Sequence, residues 1–207
     1  MKSVTITKHP LIDHSLAILR DKNTKTEMFR RHAQIVSQIL VIEATRNLKL
    51  RSKKILTPLA PMTVKELDDE VVVVPVLRAG LAMLFALQDF LPGSQVGFIG
   101  LERDEKTAIA KEYYRKLPII LSSHQVIILD PMLATGGSFI DTVNALKSKG
   151  AKKITLVCIV SATEGLKLIQ KLHPDVQIFT SAIDEKLNSH KFIVPGLGDF
   201  GDRYFGT

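Results

Sequence analysis

The feature that most constrains this chain is a set of apolar runs that do not alternate. VVVVPVL at 71–77, QVGFIGL at 95–101, HQVIILD at 124–130, KITLVCIV at 153–160 and the run from Val176 to Asp184 are each rich in Val, Ile and Leu. A strand with one face in water alternates apolar and polar side chains. A near-continuous apolar run needs cover on both faces, which is the condition of a parallel sheet between helices. Helical stretches fall between the runs at Gly80–Phe90, Gly137–Lys149 and Thr163–Leu172, and a charged segment follows Leu101. Strands alternating with amphipathic stretches predict an α/β fold with a parallel sheet. In such sheets ligands sit beyond the carboxyl ends of the strands, where the strand order reverses. The loops after Leu77, Leu101, Asp130 and Ile183 are therefore the places to search for a site.

Upstream of the first run, Phe29, Ile35, Val36, Ile39, Leu40 and Ile42 recur at near-helical spacing and predict one long helix from Thr26 to Leu50, with Thr26 as its N-cap. Leu56 to Met62 carries Pro58 and Pro61 and reads as an extended, irregular connection. A chain of 207 residues is long enough for one full core, so the expectation is one domain over 1–207.

The formal net charge of +7 admits nucleic acid, an anionic membrane or small polyanionic substrates as partners. The basic residues lie in short clusters, such as Arg51 to Lys54 and Lys147 to Lys153, rather than in an aromatic-interleaved stripe, and most read as solvated faces. Nucleic acid is therefore not the expected partner. No apolar run approaches the roughly 20 residues that cross a bilayer, and MKSVTITKHP lacks the apolar stretch of a secretion signal, so the expectation is no membrane and a cytoplasmic location. The single cysteine, Cys158, lies inside ITLVCIV and reads as a small buried hydrophobe rather than a catalytic thiol.

The segment Val126 to Ser138, VIILDPMLATGGS, joins a buried strand ending in Asp130 to a turn with Thr135, Gly136, Gly137 and Ser138 and then to a helix. Glycines let successive main-chain N–H groups approach an anion, the two hydroxyls add donors, and the helix contributes the positive end of its dipole. This geometry suits a phosphate monoester. The Gly-Lys-Ser/Thr ending of a Walker loop and the spaced glycines of a dinucleotide fingerprint are both missing. Taken alone, TGGS would read more readily as a helix cap; the strand and Asp130 before it favour the phosphate loop.

That segment resembles the 5-phosphoribosyl pyrophosphate (PRPP) loop of the type I phosphoribosyltransferase family, and the form DPMLATGGS resembles its uracil-specific branch. Three further segments agree in order: PVLRAG at 75–80, GLERDEKT at 100–107 followed by KEYYRKLP, and IVPGLGDFGDRYFGT at 193–207. The resemblance covers nearly the whole chain, from KHPLIDH at 8–14 through IEATRNL at 42–48 to the end. It implies a parallel-sheet phosphoribosyltransferase fold with flanking helices, a mobile hairpin loop over the active site and a C-terminal loop that reads the base.

By the same resemblance, PRPP is bound by Arg78, Arg103, Asp130, Pro131, Met132, Leu133, Ala134, Thr135, Gly136, Gly137, Ser138 and Asp199. Within that set Asp130 engages the ribose hydroxyls, while Arg78 and Arg103 face the pyrophosphate. Uracil is bound by Ile193, Gly198, Asp199 and Phe200, mainly through main-chain groups, and Arg103, Asp130 and Asp199 form the catalytic set. Asp199 is a candidate either for N1 deprotonation or for holding its loop. The chain departs from the pattern at Glu102, where many relatives are uncharged, at Lys191, where many have glycine, and at Phe200, where alanine is common.

The implied reaction joins uracil and PRPP to give uridine monophosphate (UMP) and pyrophosphate. The implied cofactor is Mg²⁺ bound mainly through PRPP, pyrophosphate and water, with no protein ligand to the metal. Relatives form dimers or larger homo-oligomers, for which the apolar C-terminal RYFGT offers a contact, and some are activated by GTP at a site no residue here locates. Two alternatives stay open on sequence alone. One is a PRPP-sensing, RNA-binding regulator on the same scaffold, and the other is a transferase for a different base.

Overall fold

The structure is a computed structural model that describes residues 3–103 and 110–207, with the main chain alone for Arg103 and Ala110. Along the chain run β1 (Val4–Ile6), α1 (Pro10–Arg20), α2 (Thr26–Ala44), β2 (Leu50–Leu56), β3 (Pro61–Leu67), β4 (Val71–Leu77), α3 (Leu81–Gln88), β5 (Gln95–Val96), β6 (Phe98–Arg103) and β7 (Ala110–Lys116). Then come β8 (Gln125–Leu129), β9 (Met132–Leu133), α4 (Gly137–Ser148), β10 (Lys153–Ala162), α5 (Thr163–Leu172), β11 (Gln177–Asp184), β12 (Lys186–Leu187), β13 (Ile193–Val194) and α6 (Phe200–Phe205).

The main sheet has the order β1-β11-β10-β8-β4-β6-β7, with short β5 on β4 and β9 on β10. Its pairings are parallel except that β7 runs antiparallel to β6. The expected α/β architecture is therefore present, and the physical reason for the apolar runs is visible residue by residue. On β4, Val71 and Val73 pack with α1, α2 and α3, through Leu16, Phe29, Val36 and Met83 among others. Their neighbours Val72 and Val74 pack on the opposite face with α4 and α5, through Phe139, Val143, Leu146 and Ile169. The same division holds for Ile127 against Ile128 and for Val157 against Leu156 and Cys158.

Three expectations are corrected. The helix from Thr26 stops at Ala44 rather than Leu50, and Thr26 is its first residue, since Lys25 occupies the N-cap position without a side-chain cap. Beyond Ala44 the residues TRNLK are polar apart from half-buried Leu48, so no continuous apolar face extends the helix. Leu56 to Met62 is not an irregular connection through its length: β2 and β3 form a seven-pair antiparallel hairpin from Leu50↔Leu67 to Leu56↔Pro61, and Thr57 caps its turn by donating to the Ala60 carbonyl at 2.8 Å. The run 95–101 divides at Gly97, whose N–H still donates to the Val73 carbonyl at 2.9 Å, and α3 is shorter than Gly80–Phe90. No helix among the described residues is long and apolar enough to cross a membrane.

Candidate active site

The strand order reverses between β4 and β8: β6 lies outward of β4, while β10 and β11 lie outward of β8. Beyond a reversal of this kind the loops diverge and leave a crevice. Arg78 directly follows β4, and Asp130 directly follows β8, whose Leu129 is paired with Pro75. Both residues singled out from sequence therefore flank one switch point.

Between Leu77 and Arg78 the peptide is cis, and the chain turns back through Gly80, whose N–H donates to the Val76 carbonyl at 2.8 Å. A methyl group on Gly80 would stand 2.3 Å from the Leu129 carbonyl oxygen and 2.7 Å from Val76 main-chain atoms, so only glycine lets this turn sit against β8. The Asp130 Oδ1 accepts from the Met132 N–H at 3.2 Å, which bends the chain into the 131–138 loop. The Pro131 carbonyl accepts from Ile159 and Val160 of β10 at 2.9 and 3.0 Å, fixing the loop's entry.

Gly136, at φ 89°, is the N-cap residue of α4 and brings no side-chain cap. The Gly137 N–H lies 3.4 Å from Thr135 Oγ1, and Ser138, half-buried, is the second residue of α4. The loop thus presents a helix N-terminus and two hydroxyls, an arrangement suited to a phosphate. Pro131 and Leu133 are buried, with Leu133 at 0 % exposure. Their side chains belong to the core, and any ligand contact at those positions is left to the main chain. Met132 and Ala134 are partly buried.

A cleft of about 550 Å³ opens beside the loop after β4, lined by Leu77, Arg78, Leu101, Glu102, Tyr113, Asp199 and Asp202. Arg78 pairs with Asp202, Nη2 to Oδ1 at 3.0 Å, and Thr207 Oγ1 donates to the same oxygen at 3.1 Å. Asp199 is the N-cap of α6, with its Oδ1 accepting from the Asp202 N–H at 3.0 Å. Ile193 is buried in β13, paired with Leu187. Gly198 is exposed at φ 73°, and the Phe200 ring is buried, edge-on to Phe29 at 5.1 Å. Arg103 ends β6 opposite Ala110 on the β6–β7 hairpin; its side chain and the 104–107 part of GLERDEKT lie outside the described residues.

Sequence reasoning did not single out Asp202, Tyr113 or Gly165. Tyr113 crosses directly over Gly100, where a methyl group would meet its ring at 2.6 Å. Asp202 was legible only as part of GDFGD. Burial pushes the Cys158 thiol up to about 12, the state of an inert core thiol. In the RYFGT tail the Tyr204 carbonyl accepts from Arg30 at 2.7 Å, and Gly206 and Thr207 are exposed. Among the described residues no three His, Cys, Asp or Glu side chains gather to hold a metal.

Residues 6–207 match the family described as uracil phosphoribosyltransferase. The chain belongs to the uracil phosphoribosyltransferase family. It is 50% identical over 208 residues to the uracil phosphoribosyltransferase of Clostridium perfringens, covering 100% of both chains. Its fold is similar to the solved structure of the AQ2163 protein from Aquifex aeolicus, with TM-score 0.94 and 36% identity over 99% of this chain and 98% of that one. A hypoxanthine-guanine phosphoribosyltransferase from Bacillus anthracis matches at TM-score 0.51 and 12% identity over 77% of this chain and 80% of that one, a likeness of fold alone. Membership of the uracil phosphoribosyltransferase family thus rests on the whole chain rather than on the phosphate loop.

Proposed function

We propose that the chain transfers the 5-phosphoribosyl group of PRPP to N1 of uracil, releasing pyrophosphate and giving UMP, as a cytoplasmic enzyme with residues 1–207 forming one domain. The observation that carries this reading is a match to the uracil phosphoribosyltransferase family over residues 6–207, and it is supported by Arg78 and Asp130 following the two strands at which the order reverses. A full-length match of this kind favours neither a regulator nor a transferase for another base.

In the proposed reaction the N1–C1′ bond forms as the C1′–O bond to pyrophosphate breaks, and the N1 proton leaves. The work is positioning and electrostatics rather than nucleophilic catalysis by the protein. The loop 130–138 holds the 5′-phosphate, and Asp130 takes the ribose hydroxyls. Arg78 and Arg103 meet the developing charge on pyrophosphate, while Ile193, Gly198 and Phe200 offer main-chain groups to the base. Asp199 stands as the candidate for the N1 proton and for holding its loop, and its cap on the Asp202 N–H supports the second role. Asp199 and Asp202 bring carboxylate oxygens to the cleft, the kind of donor a hard cation takes, without forming a protein cage for one. Asp199 and Asp202 would meet Mg²⁺ held chiefly by PRPP and water. Bound Mg²⁺ supplies charge neutralisation on the leaving group.

Self-association belongs to the same proposal. It is supported by the β2–β3 hairpin, which pairs with no other strand among the described residues and exposes Leu56 at 79 % and Leu59 at 96 %. Activation by GTP is carried as a separate arm of the assay.

The test is UMP formation from labelled uracil, PRPP and Mg²⁺, with Arg103→Ala, cytosine in place of uracil, and added GTP as arms. UMP from the wild-type chain, a loss of at least about 100-fold in Arg103→Ala and rejection of cytosine by about 10⁴ are expected. No product with a chain that binds PRPP would refute the assignment of the acceptor.

A further inference from the structure

Arg20 at the end of α1 and Asp184 at the end of β11 form a two-armed ion pair, Nη2 to Oδ1 at 2.8 Å and Nη1 to Oδ2 at 2.9 Å. Asp184 is 6 % exposed and Arg20 27 %. The same two groups grip one residue of the turn between β13 and α6. The Gly196 N–H donates to Asp184 Oδ2 at 2.8 Å, and Arg20 Nη1 donates to the Gly196 carbonyl at 2.9 Å. Gly196 has φ 60°, and a methyl group there would lie 2.2 Å from the Ile193 carbonyl oxygen. The turn is thus folded onto β13 at a position only glycine can fill, and both main-chain polar groups at that position are fastened by charge.

A buried ion pair is a poor device for stability alone, because desolvation offsets most of the attraction. Its planar, two-armed geometry is a good device for orientation. Arg20 and Asp184 line neither the cleft nor the phosphate loop, and their side-chain hydrogen bonds among the described residues run to each other and to Gly196. Gly196 lies three residues from Ile193 and two from Gly198, inside the segment read above as the base loop.

We propose that Arg20 and Asp184 are positioning residues for the pyrimidine: they fix Gly196 so that the 193–198 turn presents its main-chain groups to the base, and they set the affinity for uracil rather than that for PRPP. This rests on the uracil-transfer reading. The pair touches no substrate atom and acts only through the turn.

The experiment measures KM for uracil and for PRPP separately in Asp184→Asn and Arg20→Lys, with hydrogen exchange at the Gly196 and Leu197 amides and PRPP binding by calorimetry on the same samples. Asp184→Asn is expected to raise KM for uracil about tenfold, equivalent to about 1.4 kcal/mol, with PRPP binding and KM for PRPP near wild type and faster exchange at Gly196. Arg20→Lys keeps the charge and loses one arm of the fork, so its rise in KM for uracil should be smaller than that of Asp184→Asn. An unchanged KM for uracil in a variant that binds PRPP overturns the proposal, as does an equal rise in both KM values. If Asp184→Asn does not fold, Arg20→Lys alone decides by the same criteria. A wild-type chain that makes no UMP refutes the transfer reading instead, and exchange at Gly196 then still reports whether the pair holds the turn.

Discussion

A methyl group on Gly165 would stand 2.3 Å from the Ala134 carbonyl oxygen and 3.2 Å from the Gly136 nitrogen. The first turn of α5 therefore lies against the main chain of the phosphate loop, and α5 supports the loop from behind by having no side chain there. Gly165→Ala should push the loop out of register with its ligand, since neither backbone can yield cheaply. The expected result is a rise of about tenfold in KM for PRPP, equivalent to about 1.4 kcal/mol, with KM for uracil little changed. Wild-type kinetics for PRPP in this variant would show that the loop is not set by α5.

Lys191 is the non-glycine residue with positive φ among the described residues, at 63°. It closes the turn from Asn188, donating its N–H to the Asn188 carbonyl at 3.0 Å, while the Asn188 side chain accepts from His190 and Phe192. A lysine in the left-handed region costs roughly 1–2 kcal/mol; a glycine there removes that cost and returns about half as extra freedom of the unfolded chain. Lys191→Gly should stabilise the protein by about 0.5–1 kcal/mol, a rise of about 2–4 °C or less in Tm. An unchanged or lower Tm would mean that the turn carries no such strain.

The four strands β4, β8, β10 and β11 were legible because both their faces are buried, which writes an uninterrupted apolar run into the sequence. The β2–β3 hairpin was not, for the opposite reason. Every residue of β2 is exposed, RSKK offers no apolar face, and Pro58 and Pro61 punctuate the segment as a loop. The helix was read past Ala44 to Leu50, although Leu48 packs on the core only in part and Leu50 is exposed. Arg78, Asp130 and Thr135 to Ser138 were readable because each follows directly from a strand end or opens a helix. The Arg20–Asp184 pair spans 164 residues of sequence, and Gly165 differs from any other helical glycine only by what stands opposite it. The one available hint was an aspartate closing an apolar run at 184.

His32 is buried on α2, with Nδ1 3.1 Å from Ser15 Oγ and its ring edge-on to His14 at 5.5 Å. Burial first, then the positive charge of His14 and Arg31, holds its pKa below the ordinary 6.5. The unfolded chain therefore takes up this proton before the folded one does. The stability that neutral His32 contributes is present above about pH 6.5 and is lost as pH falls through the depressed folded value. His173 is shifted the same way, by burial and then Lys147, against Asp175. Tm should fall between pH 7 and pH 5, and His32→Gln should flatten part of that slope. Calorimetric scans with identical slopes in wild type and variant would remove His32 from the account.

Asp130 offers a cleaner separation of folding from catalysis than a truncation does. One of its oxygens already accepts the Met132 N–H at 3.2 Å, and asparagine keeps an oxygen that can make that bond while losing the negative charge. If Asp130 served only to bend the 131–138 loop, Asp130→Asn would keep both Tm and turnover. If it holds the ribose hydroxyls as charge develops at the anomeric carbon, a preorganised charged acceptor is lost, and such groups are worth about 10²–10³ in rate. The expectation is a variant that still folds cooperatively, with kcat/KM for PRPP lowered at least about 100-fold. Near-normal turnover in the folded variant would assign Asp130 to the architecture of the loop and leave the ribose to other groups.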